Sequence, residues 1–266
     1  YTHIDTALGY KNQDGVGKAL LTSGRVRESY FITSKIPGGL TGKEATAALN
    51  LALHQLFPAE KSAYVDLMLV HFPAAWDGGG GKASRQAQWK ALEAFSKAGK
   101  ARAIGVSHYC KSHLDDILEI ASIRPAVNQV QYHVGMGPLS LGAGVNATDY
   151  KDYDMAEGVV YESFSPLCGP CEGDDKMELI TGKLVTSIGA RYNKTGPQVA
   201  LKWQVQQGIP VIPKSSNPVH LAQNIDLFDW MLSAEDMSSL SRANTPAVAG
   251  NPGPDGVAVS GDCDVA

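Results

Sequence analysis

The stretch Tyr1-Thr2-His3-Ile4-Asp5-Thr6-Ala7-Leu8-Gly9-Tyr10 decides the fold. An alternating run ending in Asp5 and Thr6 predicts a short buried strand, and Leu8-Gly9 turns the chain so that Tyr10 follows just past the strand's end. Two later strand-like runs also end in a polar group: Tyr30 to Lys35 in a lysine, and Asp66 to His71 in a histidine. With these strands side by side and parallel, an acid, a phenol, an ammonium and an imidazole meet at one mouth.

Outward from this stretch, strand and helix patterns alternate. Gln13 to Leu21 carries Val16, Ala19 and Leu20 at helical spacing, with Gly24 as a stop. After the second strand, Pro37-Gly38-Gly39 is a loop, and Thr41 with Glu44 predicts a capped helix to about Leu56. The loop from Pro73 to Ser84 leads to a helix from about Arg85 to Ala98. Arg102 to Ser107 is the fourth strand, Lys111 to Ala121 a helix, and Ala126 to Tyr132 the fifth strand. A Gly-rich loop from Val134 to Val145 exceeds the usual βα connection and is expected to be functional or mobile; a polar helix around Thr148 to Glu157 follows. Val159 to Ser165 is the sixth strand, and one continuous helical stretch spans Leu179 to Tyr192. Pro197 opens a helix to Gln206, as helix starts favour, and Pro210 to Lys214 is the seventh strand. Asn217 caps a helix from Pro218 to Ile225, and Ser233 opens the last, to about Ser241. Strands alternating with helices predict an α/β fold with a parallel sheet, organised as one domain over residues 1–244. Residues 245–266 lack periodicity and read as a C-terminal loop or tail.

Composition narrows the function. The chain has 266 residues and a net charge of -4, with no basic tract to bind nucleic acid. No apolar run reaches the ~18 residues of a membrane span. Without a basic and apolar leader, and with only four cysteines, it reads as a cytoplasmic protein with reduced thiols. Gly78-Gly79-Gly80-Gly81-Lys82 is no phosphate loop, because Trp76 and Ala83 stand where a glycine and a hydroxyl are needed. No GxGxxG follows a strand, and no metal set is read. Asn146-Ala147-Thr148 and Asn193-Lys194-Thr195 are sequons only for a secreted chain.

Asp5-Thr6-Ala7...Tyr10, Ser34-Lys35, Val70-His71-Phe72-Pro73, Gly105-Val106-Ser107, Asn128-Gln129, Phe164-Ser165-Pro166-Leu167 and Ile212-Pro213-Lys214-Ser215, with Asn224 beyond, follow one another as in an aldo-keto reductase. The sequence resembles that family over residues 1 to about 244. The resemblance implies a (β/α)8 TIM barrel with nicotinamide cofactor and chemistry at its C-terminal mouth. In the family a first strand and helix precede the position of Tyr1, so the sequence is expected to be N-terminally incomplete, lacking the first strand and helix of the barrel.

The resemblance assigns a catalytic tetrad. Tyr10 would donate the proton, Lys35 would favour its phenolate, Asp5 would hold Lys35, and His71 would orient the carbonyl. It also places Ser107, His108 and Gln129 against the nicotinamide carboxamide and Phe164 on the ring, with Ser165, Pro166 and Leu167 in the loop beyond. Lys214, Ser215, Ser216 and Asn217 at a helix start would hold the adenosine 2'-phosphate of NADPH, with His220, Gln223 and Asn224 following. His108 and Phe164 replace the family's usual Asn and Tyr. His220 and Gln223 replace an expected arginine and a frequent glutamate, which weakens the preference for NADPH over NADH. Phe72 and Trp76 would line the pocket for an apolar aldehyde or ketone.

The reaction implied is carbonyl reduction of a small molecule, with no nucleic-acid or membrane partner. The rival readings are a non-catalytic barrel that keeps the fold and binds nicotinamide as a ligand, and a thiol oxidoreductase working through Cys168. Cys168-Gly169-Pro170-Cys171 has a thioredoxin-like sequence, but the acidic Glu172-Gly173-Asp174-Asp175 run opposes a stabilised thiolate. Chance or packing accounts for it best; a redox latch over the cofactor loop is the lesser alternative.

Overall fold

Four parallel strands, each with a polar residue at or next to its C-terminal end, set out the first part of the chain. The computed structural model describes every residue except 59, 61, 76, 77, 137–146, 170–174 and 245–266. Trp76, Cys171, the middle of the long Gly-rich loop and the tail therefore lie outside the described residues. The chain divides between Asn128 and Gln129 into two compact units.

The first unit runs β1 (His3–Asp5), α1 (Gln13–Thr22), β2 (Phe31–Ile36), α2 (Gly42–Leu56), β3 (Val65–Val70), α3 (Gly81–Lys97), β4 (Ala101–Ser107) and α4 (Lys111–Leu118), and ends inside β5 (Val127–Gln131). β1 to β4 pair in chain order, all parallel, with Asp5 opposite Thr33, Lys35 opposite Leu69 and Val70 opposite Val106. β3 is buried along its whole length, as expected of a parallel strand covered on both faces. β4 passes so close to its neighbours that a Cβ on Gly105 would meet the Val127 carbonyl at 2.5 Å and the Leu69 side chain at 2.9 Å. Only glycine fits there.

Polar contacts fix the ends of these elements. Thr41 caps α2 by accepting from the Glu44 N–H, while the Glu44 carboxylate accepts from the Thr41 N–H at 2.9 Å. Buried Asp66 accepts from Arg27 at 2.6 Å, from the Ile32 N–H at 2.9 Å and from Arg102 at 3.2 Å, pinning the start of β3 to β2 and β4. α3 starts four residues before the expected Arg85. Its first turn is polar, invisible to apolar periodicity, and held by Ser84 donating to the Leu40 carbonyl at 2.9 Å.

The second unit contains the end of β5, then α5 (Ala147–Ala156), β6 (Val160–Phe164), α6 (Asp175–Thr181), α7 (Lys183–Tyr192), α8 (Gly196–Val205), α9 (Pro218–Ile225) and α10 (Ala234–Ser241). β5 and β6 are neighbours. Its core centres on Tyr132, whose ring stacks on Trp203 at 5.2 Å and meets Tyr161 edge-on at 5.6 Å. Two expectations need correction. The seventh strand shrinks to one bridge, Ser163 to Val211, because Pro210 and Pro213 flank the segment and cannot donate to a ladder. The helical stretch from Leu179 to Tyr192 breaks at Gly182, where a Cβ would meet the Glu178 carbonyl oxygen at 2.2 Å.

Three enclosed histidines stay neutral. Burial, with Lys35 and His108 nearby, pulls His71 down to about 2; burial holds His108 and His133 at about 4. Unfolding frees each to take a proton below about pH 6.5, so the unfolded state binds more protons as pH falls and stability drops with it. Each is expected to cost up to about 2 kcal/mol between pH 6.5 and 5, a window above most carboxylate titrations. Urea midpoints measured from pH 7 to 5 should fall steeply, and less so in His133→Asn; a flat profile would show that these rings are not held neutral.

Candidate active site

The C-terminal ends of β1 to β3 bring four groups together. Lys35, the penultimate residue of β2, is completely buried. Its ammonium donates to Asp5 Oδ1 at 2.5 Å, to the Thr6 carbonyl at 3.3 Å and to the Tyr10 hydroxyl at 3.4 Å. Three acceptors thus match its three N–H groups. Tyr10 stands on a short 3-10 turn, Leu8–Tyr10, and the ammonium lies 5.0 Å from its ring centre. About half of Tyr10 is exposed, which leaves the hydroxyl reachable. His71 follows β3, with its N–H on the Ile36 carbonyl at 2.8 Å, and its ring meets Tyr10 edge-on at 5.5 Å. The expected tetrad is assembled within the first unit.

Phe72 stacks on His71 at 4.4 Å, and the ring of His108 lies 4.4 Å from the other end of this aromatic group, on Phe72. The loop carrying these residues closes tightly, since a Cβ on Gly38 would meet the Phe72 and Ala74 carbonyls at 2.2 Å. Ser107, at the end of β4, is buried. His108 has left-handed backbone, φ 61°. Its Nδ1 lies 3.0 Å from the His71 carbonyl oxygen and 2.9 Å from Ser107 Oγ. Asn128 holds the next residue, donating to the Tyr109 carbonyl at 2.9 Å and accepting from its N–H at 3.4 Å.

The remaining expected cofactor residues belong to the second unit. Gln129 is buried and donates to Glu162 at 2.6 Å. Glu162 was not among the expected site residues; its signal was a carboxylate inside the otherwise uncharged strand Val160–Phe164. Phe164 ends β6 and is half-buried; Ser165 follows at φ 48°, and the Pro166 carbonyl accepts from Gln204 at 3.0 Å, with Leu167 half-buried beyond. At α9, Ser215 accepts from the Asn217 N–H at 3.1 Å and Asn217 accepts from the Val219 N–H at 2.9 Å. Lys214, Ser216 and His220 are exposed there, Gln223 is half-buried and Asn224 buried. An exposed cation, hydroxyls and a helix start form a donor set suited to a phosphate. Among the described residues no group of His, Cys, Asp and Glu is arranged to hold a metal ion, and no helix is long and apolar enough to cross a membrane.

One expectation fails outright. Cys110 and Cys168 are both disulfide-bonded, and no described cysteine is free. Cysteine count alone carries no information on pairing, which spatial approach decides.

Comparison with known proteins identifies the family. The model of the Aldo/keto reductase family matches residues 1–245. The chain is 38% identical to glyoxal reductase of Bacillus subtilis over 96% of its own length and 83% of that protein's. It is 34% identical to morphine 6-dehydrogenase of Pseudomonas putida, over 92% of this chain and 79% of the other. An aldo-keto reductase enzyme from a Medee basin deep-sea metagenome library superposes with a TM-score of 0.77 at 32% identity, covering 90% of this chain and 80% of that one. A silkworm aldo-keto reductase complexed with NADPH gives a TM-score of 0.78 at 27% identity, over 95% of this chain and 76% of the other. With the tetrad assembled and the fold class that of the (β/α)8 barrel, the chain belongs to the aldo/keto reductase family.

Proposed function

We propose that this protein reduces aldehydes and ketones with NADPH, taking the proton from Tyr10. The observation that carries this reading is the fully buried Lys35 ammonium, 2.5 Å from Asp5 and 3.4 Å from the Tyr10 hydroxyl. A folded chain has no structural need for a buried lysine aimed at a half-exposed phenol, and burying that charge costs several kcal/mol. A non-catalytic barrel would lose nothing by replacing it.

Bound nicotinamide supplies the hydride. The residues of this chain supply orientation and the proton. Neutral His71 donates a ring N–H to the substrate carbonyl oxygen, and its strongly lowered pKa keeps it from competing with Tyr10 as an acid. Tyr10 donates its hydroxyl proton to the same oxygen as the alkoxide forms. The Lys35 ammonium stabilises the phenolate left behind, and Asp5 keeps that ammonium in place. Ser107 and Gln129 suit the carboxamide, Phe164 the nicotinamide face, with Ser165, Pro166 and Leu167 around it. Phe72 forms an apolar wall for the substrate; similarity to proteins named glyoxal reductase and morphine 6-dehydrogenase supports carbonyl and alcohol substrates of differing size.

For the adenosine end, Lys214, Ser216 and the start of α9 favour the 2'-phosphate of NADPH. His220 is an imidazole where a guanidinium would add a bidentate contact.

Two measurements test this reading. Tyr10→Phe is expected to lower kcat for NADPH-dependent aldehyde reduction by roughly 10²- to 10⁴-fold, the usual worth of a general acid, with NADPH binding by fluorescence unchanged; retained turnover would remove Tyr10 from the mechanism. His220→Arg is expected to tighten NADPH by about tenfold through one charge-assisted contact while leaving NADH alone. Equal gains for both cofactors would place the 2'-phosphate elsewhere.

A further inference from the structure

His108 occupies a position expected to face the cofactor, yet its hydrogen bonds run the other way. The His71 carbonyl oxygen, 3.0 Å from Nδ1, can only accept, so Nδ1 carries the ring hydrogen of the neutral imidazole. Ser107 Oγ, at 2.9 Å, accepts from the same N–H in a three-centre arrangement. The ring also packs on Phe72 at 4.4 Å, while Phe72 stacks on His71 at 4.4 Å on a 19° interplanar angle. His108 therefore touches both neighbours that the reaction uses: the backbone of the orienting histidine and the wall of the substrate pocket.

The backbone makes this placement informative. His108 sits at φ 61°, a left-handed conformation that glycine adopts freely and few other residues adopt, asparagine and histidine more than most. Asn128 locks the following peptide from both sides, at 2.9 and 3.4 Å, so the turn is fixed before the imidazole contributes. A residue kept in a sparsely populated conformation points to a role for its side chain.

We propose that His108 is a positioning residue for carbonyl substrate: through its Nδ1–H on the His71 carbonyl and its ring on Phe72, it sets the place of His71 and the pocket wall. This rests on the catalytic reading above, and it assigns His108 chiefly to the substrate side of the site. Asparagine at 108 presents an amide N–H about where the imidazole Nδ1–H stands but has no ring; glycine has neither. Both suit the left-handed backbone, so both variants are expected to fold.

The test pairs spectra with kinetics. In cofactor-free protein, ¹H–¹⁵N spectra of the imidazole nitrogens should show His108 as the Nδ1–H tautomer. The His71 signals, identified by their loss in His71→Gln, should move in His108→Gly and return close to their original positions in His108→Asn. In turnover, His108→Gly should raise the KM for an apolar aldehyde by about tenfold, the scale expected of a small misplacement, with NADPH affinity within about twofold. An Nε2–H tautomer, unmoved His71 signals in the glycine variant, or weakened NADPH with unchanged KM would each overturn the proposal. Should the parent protein reduce no aldehyde at all, the catalytic reading falls, and the spectra still decide whether His108 positions His71.

Discussion

The buried ion pair between Lys35 and Asp5 is the interaction on which the site depends. An ammonium taken fully out of water carries a penalty of several kcal/mol, recovered only with a close counter-ion and with every N–H satisfied. Here Asp5, the Thr6 carbonyl and the Tyr10 hydroxyl take the three N–H groups. Two of these three acceptors are in or next to β1, and the lysine is in β2, so the pair exists only because β1 lies beside β2 in one register. A slip by one residue would turn Lys35 to the other face and strand its charge. The sheet has a matching anchor at its opposite end, where buried Asp66 gathers Arg27, Arg102 and the Ile32 N–H. Ionic contacts at both ends hold an apolar middle in alignment.

The buried Lys35 ammonium also shapes the imidazoles around it. Burial is the first cause of the lowered affinity of His71 and His108 for a proton, and the positive charge of Lys35 adds to it in both. The pocket therefore holds one cation with neutral donors beside it. A second charge would compete for Asp5 and for the oxygen that Tyr10 must protonate. Neutral rings also stack on Phe72 without burying further charge, which lets an orienting donor and an apolar wall share a few ångströms.

Much of this was legible in the sequence, for physical reasons that differ by residue. Asp5, Lys35 and His71 end or follow runs of apolar residues, and parallel strands collect such ends on one edge. Thr41 with Glu44, Asn217 and Ser233 announced helix starts because capping is local chemistry. What escaped was set by contacts distant in sequence. Pro210 and Pro213 limited a strand-like segment to one bridge, and Gly182 broke a helical pattern at a close approach to Glu178. Glu162 found Gln129, and that Cys110 and Cys168 are each disulfide-bonded left no trace in the sequence pattern. The His108 contact with the His71 carbonyl was illegible too, because it joins residues 37 apart in sequence.

The start of α9 shows how far a donor set can be committed before a ligand arrives. Ser215 and Asn217 already accept backbone N–H groups at 3.1 and 2.9 Å, so their oxygens serve the helix itself. An anion would meet the donors that remain: the Lys214 ammonium, the O–H groups of Ser215 and Ser216, the Asn217 amide and whatever backbone N–H groups the caps leave. Lys214 is exposed, and an exposed charge is screened over about 8 to 10 Å at physiological salt. His220 is exposed beside it and carries no planar charged fork, so the fixed charge this helix start offers an anion is that of one solvated lysine.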